Sequence, residues 1–216
     1  MKELHVYISS EDEVTSAIIE RLLEYCSDSQ QVYVVIKKMP ARGGKIKSVI
    51  PNLNNLSQNN PVILLTDLDA SACAPSLKTQ LLNGIPQNNN FIMNIAVDEA
   101  EAWLMADRVG FASFIGVPVE KIPNATMQKQ QGMNARLEMK FPYKSSRYLT
   151  CSLINDSKKQ EICRQLKPAN GSVKGPEYNA AILPFIQKQW NISDAMANSD
   201  SLTRMINRLM ELKTRM

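Results

Sequence analysis

Val62-Ile63-Leu64-Leu65-Thr66-Asp67-Leu68-Asp69 decides how this chain folds. Five β-prone residues run without a break into two carboxylates at i and i+2. A short continuous apolar run bounded by turn residues fits a strand buried on both faces, as in a parallel sheet covered by helices. Alternate residues of a strand face the same side, so Asp67 and Asp69 are expected to point at one spot. Two carboxylates that close repel unless a cation, a proton or a basic group lies between them. Mg²⁺, which takes oxygen ligands and retains water for substrate phosphates, is the natural occupant, and Mn²⁺ is its substitute.

Working outward, Leu4–Ile8 and Val32–Ile36 read as strands, with a helix over Ser10–Glu24 between them. A basic loop, Arg42-Gly43-Gly44-Lys45-Ile46-Lys47, leads to a polar helical stretch containing Pro51 and ending near Ser57. After the Asp67 strand come a helix near Pro75–Leu82, a strand Phe91–Val97 and a helix from Asp98 to about Ala106. This alternation predicts an α/β fold, a mostly parallel sheet flanked by helices, with a helical C-terminal extension. Residues 1–107 form the expected α/β core and 108–216 a basic, mainly helical extension. Helical pieces are expected over Met127–Met139, Lys158–Leu166, Tyr178–Trp190 and Ser201–Leu212, and a loop over Pro168–Pro176.

Charge divides the same way. Residues 1–107 hold 8 Lys/Arg against 13 Asp/Glu (−5), and residues 108–216 hold 17 against 8 (+9). Acids that bind a metal and bases that neutralise phosphates suit an enzyme acting on a polyanion; a solvated basic surface is the plainer account. The four cysteines lie far apart with no C-x-x-C pair, and His5 is the only histidine. A cysteine-rich zinc site is thereby disfavoured, and reduced thiols in a cytoplasm are expected. No apolar stretch approaches the length of a membrane span, and no secretory signal is read at the N-terminus.

Two further acidic groups matter. In Ser9-Ser10-Glu11-Asp12-Glu13, a capping box between Ser10 and Glu13 accounts for Glu13 and leaves Glu11 over. If the first and third strands are parallel neighbours, Glu11 lies beside the Asp67 strand end, where ligands of such sheets gather. Whether Glu11 or Glu13 is the functional acid stays open. In Asp98-Glu99-Ala100-Glu101, helix-start acids explain the first two, while Glu101 is the harder to dismiss. Lys144, Arg147, Ser172 and Lys174 are expected to hold a phosphate backbone. Lys174 lies in the loop Gly171–Pro176, whose glycines let backbone N–H groups approach an anion, or which simply enters a helix through Pro176.

The order strand, Glu11, helix, then a strand ending Asp67-x-Asp69 resembles the toprim domain of topoisomerases, primases and the overcoming-lysogenization-defect nucleases. More closely, five strings are similar to small bacterial toprim-like proteins related to the DUF4276 set. They are Glu11-Asp12-Glu13, the Gly43-Gly44 loop, Asp67-Leu68-Asp69 with Cys73-Ala74-Pro75, Glu99-x-Glu101-Ala102-Trp103-Leu104-x-Ala106-Asp107, and Gly171-Ser172 with Gly175-Pro176-x-Tyr178-Asn179. The resemblance implies a toprim-like fold and an ATPase partner in bacterial defence-type operons. It further implies Glu11 as general acid/base or metal ligand, and Asp67 and Asp69 as Mg²⁺ ligands. Asp12 follows Glu11, and Ala70-Ser71-Ala72 follows Asp69, where toprim strings commonly carry glycine.

The resulting expectation is a Mg²⁺-dependent nuclease or phosphodiester-processing effector. Its catalytic residues are Glu11, Asp67 and Asp69, with Glu101 joining the metal site. The alternative is a catalytically silent subunit that binds nucleic acid or the ATPase. A phosphatase with Asp67 as nucleophile fits less well, because two strands precede this one. The basic stripe Arg204, Arg208, Lys213, Arg215 of the last helix reads by default as a solvated helix face, with a contact surface for either partner as the alternative. Tyr143, Tyr148, Tyr178 and Trp190 are aromatic groups with core roles or base-stacking roles. Oligomeric state is not legible.

Overall fold

A computed structural model describes residues 1–39, 43–69, 71, 73–129, 134–169 and 172–216. The chain divides into two compact units, Met1–Ala96 with Arg204–Met216, and Val97–Thr203.

The first unit is built on four parallel strands, β1 (Lys2–Ser10), β2 (Gln31–Lys38), β3 (Val62–Asp67) and β4 (Phe91–Ala96), in the spatial order β2-β1-β3-β4. Helix α1 (Glu13–Cys26) joins β1 to β2. A 3₁₀ turn over Gly43–Val49 and α2 (Ile50–Leu56) precede β3, and α3 (Ala74–Leu82) precedes β4. Every residue of β3 from Val62 to Thr66 is buried, which is why the run carries no polar alternation. The α1 stripe Val14, Ile18, Leu22 is buried as its helical spacing dictates.

Strand order gives this sheet its functional geometry. From β1 the chain moves to one side to form β2, then crosses back to form β3 and β4 on the other side. The connections leaving β1 and β3 therefore diverge, and the carboxyl ends of these two strands flank a topological switch point, where such sheets bind ligands. Ser10 pairs with Leu65, so Glu11 and Asp67 emerge at the same end of the sheet.

The second unit contains α4 (Ala100–Ala106), α5 (Arg108–Ile115), a hairpin of β5 (Ala125–Gln128) and β6 (Arg136–Met139), α6 (Ser145–Cys151), α7 (Gln160–Leu166), α8 (Tyr178–Lys188) and α9 (Ile192–Met196). Helices are found where expected in Lys158–Leu166 and Tyr178–Trp190. The helix expected over Met127–Met139 is instead the β5–β6 hairpin, paired from Ala125↔Met139 to Gln128↔Arg136. Distant partners hold it. The Leu137 N–H donates to Asp200 Oδ2 at 2.8 Å, and the buried Glu138 carboxylate accepts from Ser201 N–H at 2.6 Å and Ser199 Oγ at 2.8 Å. These partners lie about sixty residues on, so local periodicity does not reveal them.

Helix α10 (Asp200–Arg215) ends the chain, and its cations from residue 204 onward are largely tied within the first unit. Arg208 donates to Asn94 Oδ1 at 2.6 Å and to Met93 O at 3.2 Å, Lys213 to Cys26 O at 2.8 Å, and Arg215 to Asn89 O at 3.0 Å. Three of the four cations of that stripe thus hold hydrogen bonds within the first unit, and Arg208 satisfies a carbonyl of β4, the last strand of the sheet. Among the described residues, no helix is long and apolar enough to cross a membrane. All four cysteines are free thiols.

Candidate functional site

Glu11 is set in place by the way β1 hands over to α1. The N-cap is Asp12, whose carboxylate accepts from Thr15 N–H at 2.8 Å while the Thr15 hydroxyl accepts from Asp12 N–H at 3.1 Å. This Asp12/Thr15 capping box replaces the Ser10/Glu13 one expected, because the helix begins later than the sequence reading places it. Glu13 becomes a first-turn acid facing the helix dipole. Glu11 stays outside the cap and turns toward β3, where its Oε1 accepts from the Thr66 hydroxyl and from Asp67 N–H at 3.2 Å. Among the described residues nothing donates to Oε2.

Asp67 is the last residue of β3, and Leu68 still donates its N–H to Ala96 O at 3.0 Å. Strand alternation stops there: Asp69 has φ +54°, in the left-handed region that aspartate tolerates better than most residues. The two aspartates are thus related by a turn rather than by i, i+2 on a strand. Lys47 reaches Asp69 Oδ2 at 2.7 Å. It comes from the 3₁₀ turn after β2, whose start is tied down by Gly43 N–H donating to Glu11 O at 2.9 Å. Gly43 has φ +51°, where a side chain would be strained. Of the basic loop read from sequence, Lys47 is the member that engages the site, while Lys45 is exposed and Arg42 lies outside the described residues, as do Ala70 and Ala72. Cys73, of the Cys73-Ala74-Pro75 string, precedes the first turn of α3; its thiol bonds Ser76 Oγ at 2.9 Å, which holds its pKa below the ordinary value.

These residues offer an oxygen-only donor set, which suits Mg²⁺ or Mn²⁺ chemically. Among the described residues, no group of three or more His, Cys, Asp or Glu side chains is arranged to hold an ion. Mg²⁺ is commonly bound by one or two carboxylates completed by water and substrate phosphates, so a full protein cage is not required. The open Oε2 of Glu11 meets that lesser demand, whereas Asp69 already has the Lys47 ammonium as its neutralising charge.

The second unit holds a different set of acids. Asp98 (φ +67°) accepts from Ser145 N–H at 3.1 Å, and Glu99 accepts from Ser146 N–H at 2.9 Å. Together they satisfy the first two N–H groups of α6, whose own N-cap residue, Lys144, supplies no side-chain bond. Glu99 Oε1 also pairs with Lys144 Nζ at 3.2 Å. Glu101, expected to join the metal site, is buried; its Oε1 accepts from Tyr178 Oη at 2.8 Å and Lys174 Nζ at 3.0 Å. Burial, and then the neighbouring Glu99 charge, push the Asp98 carboxyl up to about 6.

The expected phosphate-binding residues separate. Lys174 and Lys144 each face a glutamate, Arg147 is exposed on α6, and the Ser172 hydroxyl donates to Lys174 O at 2.6 Å. Asn170 and Gly171 lie outside the described residues. Gly175 has a structural reason: a Cβ there would stand 2.2 Å from Gln165 O and 2.7 Å from Leu166 O, both backbone atoms. The buried Asp107 also is structural, accepting from Gly110 N–H at 3.0 Å and Asn191 N–H at 2.8 Å.

Fold and site define a class first: a parallel α/β protein with carboxylates at the β1/β3 switch point. The family model described as a domain of unknown function, DUF4276, matches residues 9–210, and the chain belongs to that family. Comparison with curated proteins and with solved structures finds no match.

Proposed function

We propose that this protein is a Mg²⁺- or Mn²⁺-dependent, toprim-type phosphodiester-processing enzyme, a nuclease acting in the cytoplasm with an ATPase partner in bacterial defence. The observation that carries the reading is the Glu11 carboxylate bonded across to Thr66 and Asp67 at the switch point. Glu11, Asp67 and Asp69 would hold the ion. When bound, the ion supplies Lewis-acid polarisation of a phosphodiester and activation of water. Glu11 keeps Oε2 open to exchange a proton while Oε1 is fixed by its two donors. Lys47 balances Asp69 until a substrate phosphate offers the ammonium another anion. The ATPase partner and the defence setting rest on the family resemblance.

The Lys47–Asp69 pair favours a second reading. A cation already supplied by the protein suits a toprim-derived subunit that binds nucleic acid or the ATPase and cuts nothing. Incubating the protein with DNA and with RNA in Mg²⁺ or Mn²⁺, alone and with the ATPase encoded beside it, separates the two. Metal-dependent cleavage that vanishes in Asp67→Ala/Asp69→Ala is the expected result. Binding without cleavage in wild type and variant alike overturns the nuclease and leaves the silent subunit.

A further inference from the structure

Lys140-Phe141-Pro142-Tyr143-Lys144-Ser145-Ser146-Arg147-Tyr148 interleaves three aromatic rings with three cations, all inside the second unit. The rings gather in space. Tyr148 lies between the others, its centroid 5.5 Å from Phe141 and 6.0 Å from Tyr143, at interplanar angles of 53° and 59°. Both tyrosine hydroxyls are anchored, Tyr148 Oη donating to Lys121 O at 3.0 Å and Tyr143 Oη bonding Ser152 Oγ. Anchoring at the hydroxyl end fixes the rings, yet Tyr143 remains 42% exposed and Phe141 and Tyr148 only half-buried. A ring with its polar end satisfied and its face in water is unusual for a core residue and ordinary for a contact surface.

Charge along this stretch is mostly positive, and the acid near Tyr148, Asp156, is paired with Lys121 at 3.2 Å. Residues 129–147 contain five cations (Lys129, Arg136, Lys140, Lys144, Arg147) against one acid, Glu138. Glu138 is buried against Ser199 and Ser201, so it adds little negative charge to this surface. Lys144 is paired with Glu99, while Lys140 and Arg147, each next to a ring in sequence, are exposed. The bonds from Ser145 and Ser146 to Asp98 and Glu99 hold the start of α6, so Arg147 and Tyr148 sit on a fixed support.

We propose that Phe141, Tyr143 and Tyr148, flanked by Lys140 and Arg147, form a shelf that holds single-stranded nucleic acid. Bases stack on the ring faces and the two cations take the phosphates. Duplex is disfavoured because its bases are already stacked and only its phosphates could engage. The proposal deepens the polyanion reading above, but it requires no metal and no cleavage.

The test is fluorescence anisotropy on the full chain in EDTA, with labelled oligo-dT, oligo-U and a duplex of equal length. Both single strands are expected to bind more tightly than the duplex, and their ratio tells DNA from RNA. Tyr143→Ala should weaken single-strand binding about 5- to 150-fold, the range of one base–aromatic stack. Tyr143→Phe should stay within about twofold, since the ring remains. Arg147→Ala should lower the salt dependence of log K by about 0.7. Thermal melts check folding, and should Tyr143→Ala melt early, the exposed Arg147 variant decides by itself. Single-strand binding equal to wild type in Tyr143→Ala and Arg147→Ala overturns the shelf, as does equal affinity for duplex, or capture of poly-glutamate with no oligonucleotide bound. Because metal is absent, loss of the shelf leaves the cleavage question standing, and loss of cleavage leaves the shelf standing.

Discussion

The acids that follow β3 and those that follow β4 share residue types and even backbone strain, with φ +54° at Asp69 and +67° at Asp98, yet they do different work. After β3, Glu11 holds one carboxylate oxygen against Thr66 and Asp67, and among the described residues nothing donates to the other. After β4, Asp98 and Glu99 occupy the N–H groups of Ser145 and Ser146, and Glu101 occupies Lys174 and Tyr178. An acid whose lone pairs are consumed by its own protein is a structural element; one with a lone pair to spare at a strand-end crevice can do chemistry. Position in sequence does not separate these cases, and hydrogen-bond partners do.

The contrast breaks hardest at Glu11. Glu11→Gln preserves the bond to Asp67 N–H and removes the exchangeable charge, so the proposed cleavage should fall about 10²- to 10⁴-fold with an unchanged melting temperature. An equal loss of activity and stability would place Glu11 with the structural acids instead. The mirror experiment is Glu99→Ala, which strips acceptors from buried donors at the start of α6. It should destabilise by about 1–3 kcal/mol, lowering the melting temperature by several degrees, since about 1 kcal/mol moves a chain of this size 2–4 °C. A melt indistinguishable from wild type would show that α6 finds other partners.

Asp98→Asn gives the smallest effect and a pH signature. The folded carboxyl is raised to about 6 from an ordinary 3.8, so the folded state binds this proton more tightly than the unfolded chain. The stability this gives is fully present below pH 3.8 and is lost as pH rises through about 6. Asparagine accepts from Ser145 without a charge, so the variant should be more stable than wild type at pH 8, by about 1 kcal/mol after solvent screening. That advantage should shrink as pH falls toward 4, and denaturant melts at the two pH values measure it. A constant difference would assign the effect to something other than this titration.

Much of the first unit was legible because its signals are local. The unbroken β3 run, the α1 stripe and the alternation of strands with helices are set by side-chain periodicity, which a sequence displays directly. Glu11 too was legible, given one condition, a parallel β1–β3 pair, and the strand order supplies it. Less was legible where the decisive partner is remote. The β5–β6 hairpin reads as helix because Glu138 and Leu137 are held by residues near position 200. Lys47 was hidden in a loop where Lys45 looked equivalent, and the 3₁₀ turn beginning at Gly43 chooses between them.

By itself, the sequence determined the parallel α/β class, the strand that ends at Asp67 and the uneven distribution of charge, because each follows from composition and periodicity along the chain. Only the tertiary structure decided which acids are spoken for. It turned Asp69 out of the strand onto Lys47, took Asp98, Glu99 and Glu101 into hydrogen bonds within the second unit, and left Glu11, beside Asp67, one oxygen that no described residue donates to. The physical reason is that a carboxylate's role depends on which donors reach it, and those donors come from segments tens of residues away.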